Sequence, residues 1–235
     1  MPLRWRSTTR RQGSHLEFPV CDDDRRAIAS QWPGMGQQPY VCVHPGAQLP
    51  SRRWPPERFA AIGDELARAG HEVVITGTAA ELPLVEAVQQ KMHAPATSLA
   101  GQTSLWSLGA LIERARLLVC NDTGVSHVAA ALGTPSVVVS LGSDVARWSP
   151  PDAQRHRVLW RPMACRPCGH GVCPVGHGCA TQLHTDEVIE AVRDSLSARP
   201  AEARPMHTSI SILQSAGMSA AHHRHDAFAL QGRPA

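Results

Sequence analysis

Between residues 40 and 198, short apolar runs alternate with longer amphipathic stretches. That alternation predicts an α/β protein with a Rossmann-like, doubly wound parallel sheet. Three observations carry the prediction. The runs Tyr40–Val43, Leu117–Cys120 and Ser136–Ser140 are nearly continuous in apolar residues, as strands covered on both faces must be. The stretches between them place apolar residues at helical spacing. Finally, Leu117–Cys120 passes straight into the polar turn Asn121-Asp122-Thr123-Gly124 and then into Val125, Val128, Ala129 and Leu132. This is strand, tight turn and helix. In open α/β sheets, ligands sit at the carboxyl ends of strands. A helix N-terminus there offers unpaired N–H groups and a positive dipole end to an anion. The competing reading of this turn is an ordinary helix start capped by Asp122 or Thr123.

Composition bounds the rest. The 235 residues allow one large domain, or one domain with tails. Hydrophobic residues make up 43% of the chain but aromatics only 4%, so the core is expected to be aliphatic. A net charge of +3 is too small to argue for a nucleic-acid partner. Lys91 is the single lysine among 23 basic residues, a bias that carries no chemistry. No apolar stretch reaches the roughly 18 residues of a membrane-spanning helix. The opening segment carries Arg4, Arg6, Arg10 and Arg11 without the apolar stretch of a secretory signal. A cytoplasmic protein with seven reduced cysteines is therefore expected.

The elements follow in order. Residues 1–39 read as a basic N-terminal segment, disordered to about residue 15, followed by a linker-like stretch. Asp22-Asp23-Asp24 starts a short helix running to Gln31. Pro33-Gly34-Met35-Gly36 is a turn. The strand Tyr40–Val43 runs into His44-Pro45-Gly46-Ala47. Pro55 and Pro56 suit a helix start, with Phe59, Ile62 and Leu66 inward and Ala69-Gly70 at its end. A strand over 72–76, a helix over 81–91 and a short strand at Thr97–Leu99 come next. Thr103 or Ser104 caps a helix whose buried stripe is Leu105, Leu108, Leu111 and Ile112. After the central turn and helix, Gly133-Thr134-Pro135 is a stop. Ser136–Ser140 and Val158–Trp160 are the last strands, and 186–197 the last helix, with Val188, Ile189, Val192 and Leu196 inward. The core domain is thus 40–198. Residues 199–235, rich in Pro, Ala, Ser and His, read as a disordered tail whose His222-His223-Arg224-His225 could bind metal adventitiously.

Two loops should share one edge of the sheet, because both follow parallel strands. One carries Gly46, Ser51, Arg52 and Arg53; the other carries Asp122, Thr123, Gly124 and His127. A guanidinium opposite a helix N-terminus makes a diphosphate site, since arginine is a fixed-charge, bidentate partner for phosphate oxygens. The alternative for Arg52 and Arg53 is a solvated basic pair.

His44-Pro45-Gly46-Ala47, Ser51-Arg52-Arg53-Trp54-Pro55, Thr76-Gly77-Thr78 and Asn121-Asp122-Thr123-Gly124-Val125-Ser126-His127, in this order and spacing, resemble the bacterial heptosyltransferases of glycosyltransferase family 9. The resemblance covers roughly Leu16 to Ser197. It implies the GT-B architecture, in which two Rossmann-like domains flank a cleft. The C-terminal domain of such enzymes binds the nucleotide-sugar donor. The N-terminal domain binds the lipid A–core acceptor and carries an aspartate base. By the same resemblance Arg52 contacts the donor phosphates, Asp122 lies near the donor sugar hydroxyls, and Thr123 and Gly124 hold the diphosphate. His127 stands beside them, Glu81 reaches the ribose, and Thr103 lies beside the adenine; Gly46 and Ser51 complete the donor set. ADP-heptose is the implied donor, no further cofactor is implied, and the lipopolysaccharide core at the inner membrane surface is the implied acceptor.

One departure matters. The family has a domain of comparable size ahead of this one, whereas about 40 residues precede the first core strand here. The chain therefore reads as the C-terminal, donor-binding half of a GT-B enzyme, with the N-terminal domain missing. No catalytic base is assigned, and the isolated chain is expected to bind donor without transferring sugar. The alternative is a non-catalytic nucleotide-sugar-binding or metal-stabilised module.

Cys165-x2-Cys168-x4-Cys173-x5-Cys179 forms a second constellation. Four close thiols suit tetrahedral zinc, but Cys-x5-Cys is looser than ordinary zinc spacing. Reduced thiols packing a loop, or disulfides in oxidised preparations, are the favoured reading, and structural zinc the alternative. Cys21, Cys42 and Cys120 read as core thiols.

Overall fold

A computed structural model describes residues 16–198. The expected disordered segments, residues 1–15 and 199–235 with their histidine-rich run, lie outside the described residues.

Six parallel strands form one sheet in the order β3-β2-β1-β4-β5-β6. They are β1 (Tyr40–His44), β2 (Glu72–Ile75), β3 (Thr97–Ser98), β4 (Leu117–Asn121), β5 (Ser136–Val139) and β6 (His156–Leu159). This is the doubly wound order, and it reverses between β1 and β4, where loops from the two halves diverge and leave a crevice. The register pairs Val43 with Val119 and His44 with Cys120, so the two strands end side by side.

The apolar runs are continuous because each strand feeds two cores. Val41, Val43, Val73, Ile75, Leu117, Val119, Val137 and Val139 point to one face. There they meet Phe59, Ile62 and Leu66 of α2 (Pro56–Arg68), Val85 and Val88 of α3 (Leu82–Lys91), and Val188 and Val192 of α8 (Thr185–Ser197). The intervening Cys42, Val74, Leu118, Cys120 and Val138 point the other way. Their partners are Ile28 of α1 (Asp22–Gln31), Leu108, Leu111 and Ile112 of α4 (Leu105–Arg114), and Val125, Val128 and Ala129 of α5 (Gly124–Leu132). Two single-turn helices, α6 (Val145–Trp148) and α7 (Gly178–Thr181), and the 3-10 turns Pro50–Arg52 and Ala79–Glu81 complete the described elements. They are too short to show a periodicity in sequence.

Several expectations change in detail. The last strand begins at His156, so Trp160 falls just beyond it and is half-exposed. Ser104, not Thr103, caps α4: its hydroxyl accepts from Ser107 N–H at 3.1 Å. Cys21 is no core thiol. It is exposed at the start of α1, where its thiol donates to Asp24 at 3.0 Å. Cys42 and Cys120 are buried, and burial pushes both thiols up. The linker-like stretch packs onto the domain: Ile28 is fully buried, and Arg25 forks onto Glu113 of α4 at 2.8 and 2.9 Å.

Candidate functional site

The site is built where β1 and β4 end. Asn121, the last residue of β4, is fully buried. Its Nδ2 donates to Pro45 O at 2.7 Å, and its Oδ1 accepts from Trp54 N–H at 3.1 Å. One side chain therefore ties the loop after β1, at both of its ends, to the turn that starts α5. Sequence reading placed Asn121 in the turn but gave it no role. A polar residue closing an apolar strand was the available signal.

Beyond Asn121, Thr123 is the N-cap position of α5, in extended conformation, but its side chain makes no capping hydrogen bond. Asp122 does not cap either. Its Oδ2 accepts from Ser140 Oγ at 3.2 Å, at the end of β5. The ordinary-cap reading of this turn therefore fails: among the described residues no side chain caps the start of α5, and Ser126 N–H turns back to Thr123 O at 3.0 Å. Gly124 is exposed, and a Cβ built on it would meet nothing within 4 Å, so space is open at the helix start.

Across the crevice, Ser51 and Arg52 lie in a 3-10 turn, Pro50–Arg52. Arg52 Nη2 donates to Cys168 O at 3.0 Å. Its Nε is buried and has no partner among the described residues. Arg53 Nε instead donates to Ala47 O at 2.9 Å, closing its own loop. The adjacent arginines thus divide: Arg53 is structural, while Arg52 keeps one buried donor, Nε, unused.

The cysteine-rich segment straps this edge. Ser51 N–H donates to Gly171 O at 3.0 Å, its hydroxyl bonds to His170 O, and His177 Nε2 bonds to Ser51 O at 2.7 Å. Cys168 N–H donates to Gly142 O. The thiols do separate jobs. Cys179 is buried in the core, Cys173 Sγ accepts from His177 N–H at 3.2 Å, and Cys165 is exposed. Among the described residues no group of three or more His, Cys, Asp or Glu side chains is gathered closely enough to hold a metal ion. All seven cysteines are free thiols.

The remaining expected residues lie further out. Glu81 is buried, and its Oε2 accepts from Thr78 N–H at 2.8 Å and Thr78 Oγ1 at 3.0 Å. The carboxylate also packs on Gly46, where any side chain would strike it. Gly46 thus makes room for Glu81. His44, buried beside them, bonds through Nδ1 to Thr76 Oγ1 at 3.0 Å; burial pushes its pKa down and Glu81 pulls it back up. His127 sits one turn into α5, its ring 6.3 Å from that of Trp148. Thr103 follows β3, two strands from β1, and is not brought to the β1–β4 crevice. A hollow of about 930 Å³ occurs at the opposite edge, lined by Asp64, Arg68, His71 and His93, none of them expected site residues.

Residues 9–178 match the family model "Glycosyltransferase family 9 (heptosyltransferase)". The chain is 30% identical over 148 residues to lipopolysaccharide heptosyltransferase 2 of Salmonella typhimurium, covering 61% of this chain and 42% of the relative. It is 35% identical over 138 residues to lipopolysaccharide heptosyltransferase 3 of Escherichia coli, covering 57% and 40%. Among solved structures, a family 9 glycosyltransferase from Veillonella parvula superposes with a TM-score of 0.69 at 25% identity, over 78% of this chain and 54% of that one. The E. coli ADP-heptose lps heptosyltransferase II gives 0.64 at 25%, over 77% and 53%. The chain spans about two fifths of the length of these curated relatives and half that of the structures. Matched over most of its residues, the chain belongs to glycosyltransferase family 9.

Proposed function

We propose that this chain is the donor-binding half of a heptosyltransferase, holding a nucleotide-diphosphate sugar, ADP-heptose by the names of its relatives, at the β1–β4 crevice. One observation carries the reading. The Asn121–Trp54 hydrogen bond joins the segment that leads into the uncapped N-terminus of α5 to the segment that carries Arg52, whose Nε is buried and unpartnered. Both the helix start and that Nε are donor groups of positive character, and an anion between them supplies the missing acceptors. Glu81 and Thr103, toward β2 and β3, extend the same edge in the direction where a nucleoside would lie.

The chemistry that goes with this site is inverting displacement at the anomeric carbon. An acceptor hydroxyl of the lipopolysaccharide core loses its proton to a base and forms the new C–O bond. The bond to the diphosphate breaks, and its electron pair leaves with the phosphate oxygen. Arg52 and the α5 N–H groups would stabilise that charge. The setting is cytoplasmic, at the inner membrane face. Among the described residues no helix is long and apolar enough to cross a membrane.

Calorimetric titration with ADP-heptose, ADP, UDP and GDP tests the reading. Saturable binding with the ADP ligands tightest is expected. Absence of binding by all four would sink it. Binding without transfer to heptose-deficient lipopolysaccharide, reversed by adding a complete N-terminal half, would separate a donor half from a module with no catalytic role.

A further inference from the structure

A second arginine at this edge is used differently from Arg52. Arg166 Nη1 donates to Ser140 O at 3.0 Å and, more weakly, to Arg161 O at 3.4 Å. Its Nη2 donates to Ser140 Oγ at 3.0 Å and to Ser143 O at 2.8 Å. Each Nη carries two N–H groups, so the fork of this guanidinium is already filled by protein oxygens. Its face stacks on Trp160, 5.2 Å from the ring centroid. Arg166 is therefore placed to organise the site rather than to hold a phosphate.

What it organises can be read from hydrogen-bond polarity. Ser140 is fully buried. Its hydroxyl accepts from Arg166 and lies 3.2 Å from Asp122 Oδ2. A guanidinium can only donate and a carboxylate can only accept, so the single hydroxyl proton must point at Asp122. The relay runs one way, from Arg166 through Ser140 to Asp122. It pins Oδ2 and leaves Oδ1 without a protein donor among the described residues. In low-dielectric surroundings such a chain is stiffer than its links taken singly.

We infer that Arg166 and Ser140 are positioning residues that hold the Asp122 carboxylate so that Oδ1 accepts from a hydroxyl of the donor sugar, while Arg52 serves the diphosphate. This rests on the donor-site reading above, in which Asp122 faces the sugar and Arg52 the diphosphate.

The test is the ratio of affinities for ADP-heptose and ADP, which differ by the sugar and its ester link. Wild type, Ser140→Ala, Asp122→Asn and the double variant are titrated with both. Ser140→Ala keeps the Arg166 bonds to Ser140 O and Ser143 O, so the strap stays in place. It should weaken ADP-heptose by about tenfold and ADP by less than about twofold, the size expected for a hydrogen bond to a charged group. In the Asp122→Asn background Ser140→Ala should change the ratio no further, because its effect passes through that carboxylate. Arg166→Gln should shift the ratio in the same direction. Equal weakening of both ligands by Ser140→Ala, no change in either, or full additivity with Asp122→Asn would overturn the inference while leaving the donor site standing. Failure of wild type to bind ADP-heptose, ADP, UDP or GDP would remove the donor site and this inference together. If another nucleotide binds best, it and its sugar replace the ADP pair.

Discussion

The two edges of the sheet are both rich in charge, yet they treat it in opposite ways. At the amino edge, around the 930 Å³ hollow, the charges satisfy one another. Asp64 accepts from the N–H groups of His93 and Ala94, each at 2.9 Å, and from the His93 ring at 2.8 Å. Glu65 is bonded by Arg193 at 2.7 Å and pairs with Arg68. His71 Nδ1 is the exception: it is buried without a partner, and burial, with Arg116, lowers the ring's pKa. At the carboxyl edge Arg52 Nε has no partner and the start of α5 has no side-chain cap among the described residues. Apart from His71, the charged groups around the hollow already pair, which leaves a charged ligand little to complete there. At the carboxyl edge the orphaned donor favours the proposed ligand, because an unmade buried hydrogen bond costs about 1–3 kcal/mol until something supplies it.

The sharpest way to break this contrast is Asn121→Leu. The variant leaves Trp54 N–H and Pro45 O without their partner in a buried place. Two unsatisfied groups should cost roughly 2–5 kcal/mol of stability, read by urea unfolding. Nucleotide affinity of the remaining folded protein should also fall, since Asn121 holds the two loops in register. Lower stability with unchanged affinity would mean that the loops keep their places without it.

The larger lines of the fold were legible in sequence because strand burial on two faces leaves continuous apolar runs, and Leu117–Cys120 is such a run. The turn was legible because Asp122-Thr123-Gly124 breaks that run abruptly. What escaped is what depends on contacts distant in sequence. Nothing around residue 121 announces that its amide meets Pro45 and Trp54, 76 and 67 residues away. Nothing near Arg166 announces Ser140, 26 residues back. Cys21 was misplaced because an isolated cysteine carries no periodicity that separates core from surface. Thr103 and Ser104 are equivalent as caps by type, and only geometry chose Ser104.

The next comparison sets Arg52 against Arg68, one guanidinium from each edge. Arg52→Ala should raise the dissociation constant for ADP by roughly one to two orders of magnitude, as removal of a charge-assisted contact of about 1.5–3 kcal/mol would. Arg52→Lys should lose less, because it keeps the charge and gives up the fork. Arg68→Ala should leave binding unchanged and shift stability by about 1 kcal/mol or less, as an exposed ion pair would. Titration of the three variants with ADP, with thermal melts of each, decides it. Equal affinities throughout would erase the distinction between the edges.

The smallest expected effect belongs to the amino edge alone. His156 opens β6, is 3% exposed, and bonds through Nδ1 to Ser136 Oγ of β5 at 2.9 Å. Burial pushes its pKa down to about 4; Asp152 opposes that shift and Arg155 reinforces it. The folded protein therefore binds the proton less readily than the unfolded chain, whose histidines titrate near 6.5. The neutral ring's contribution to stability is complete above pH 6.5 and is lost as the pH falls toward 4. Between pH 7.5 and 5.5 this one group should cost about 1 kcal/mol. His44 is buried with a lowered pKa as well, so a fall of the same sign persists without His156. The measurement is therefore a difference. Urea unfolding of wild type and His156→Gln at both pH values should show a fall smaller by about 1 kcal/mol in the variant. ADP affinity at pH 7.5 should be the same for both proteins, because His156 lies at the edge away from the crevice. An undiminished fall would acquit His156, and a changed affinity would show that the two edges are coupled.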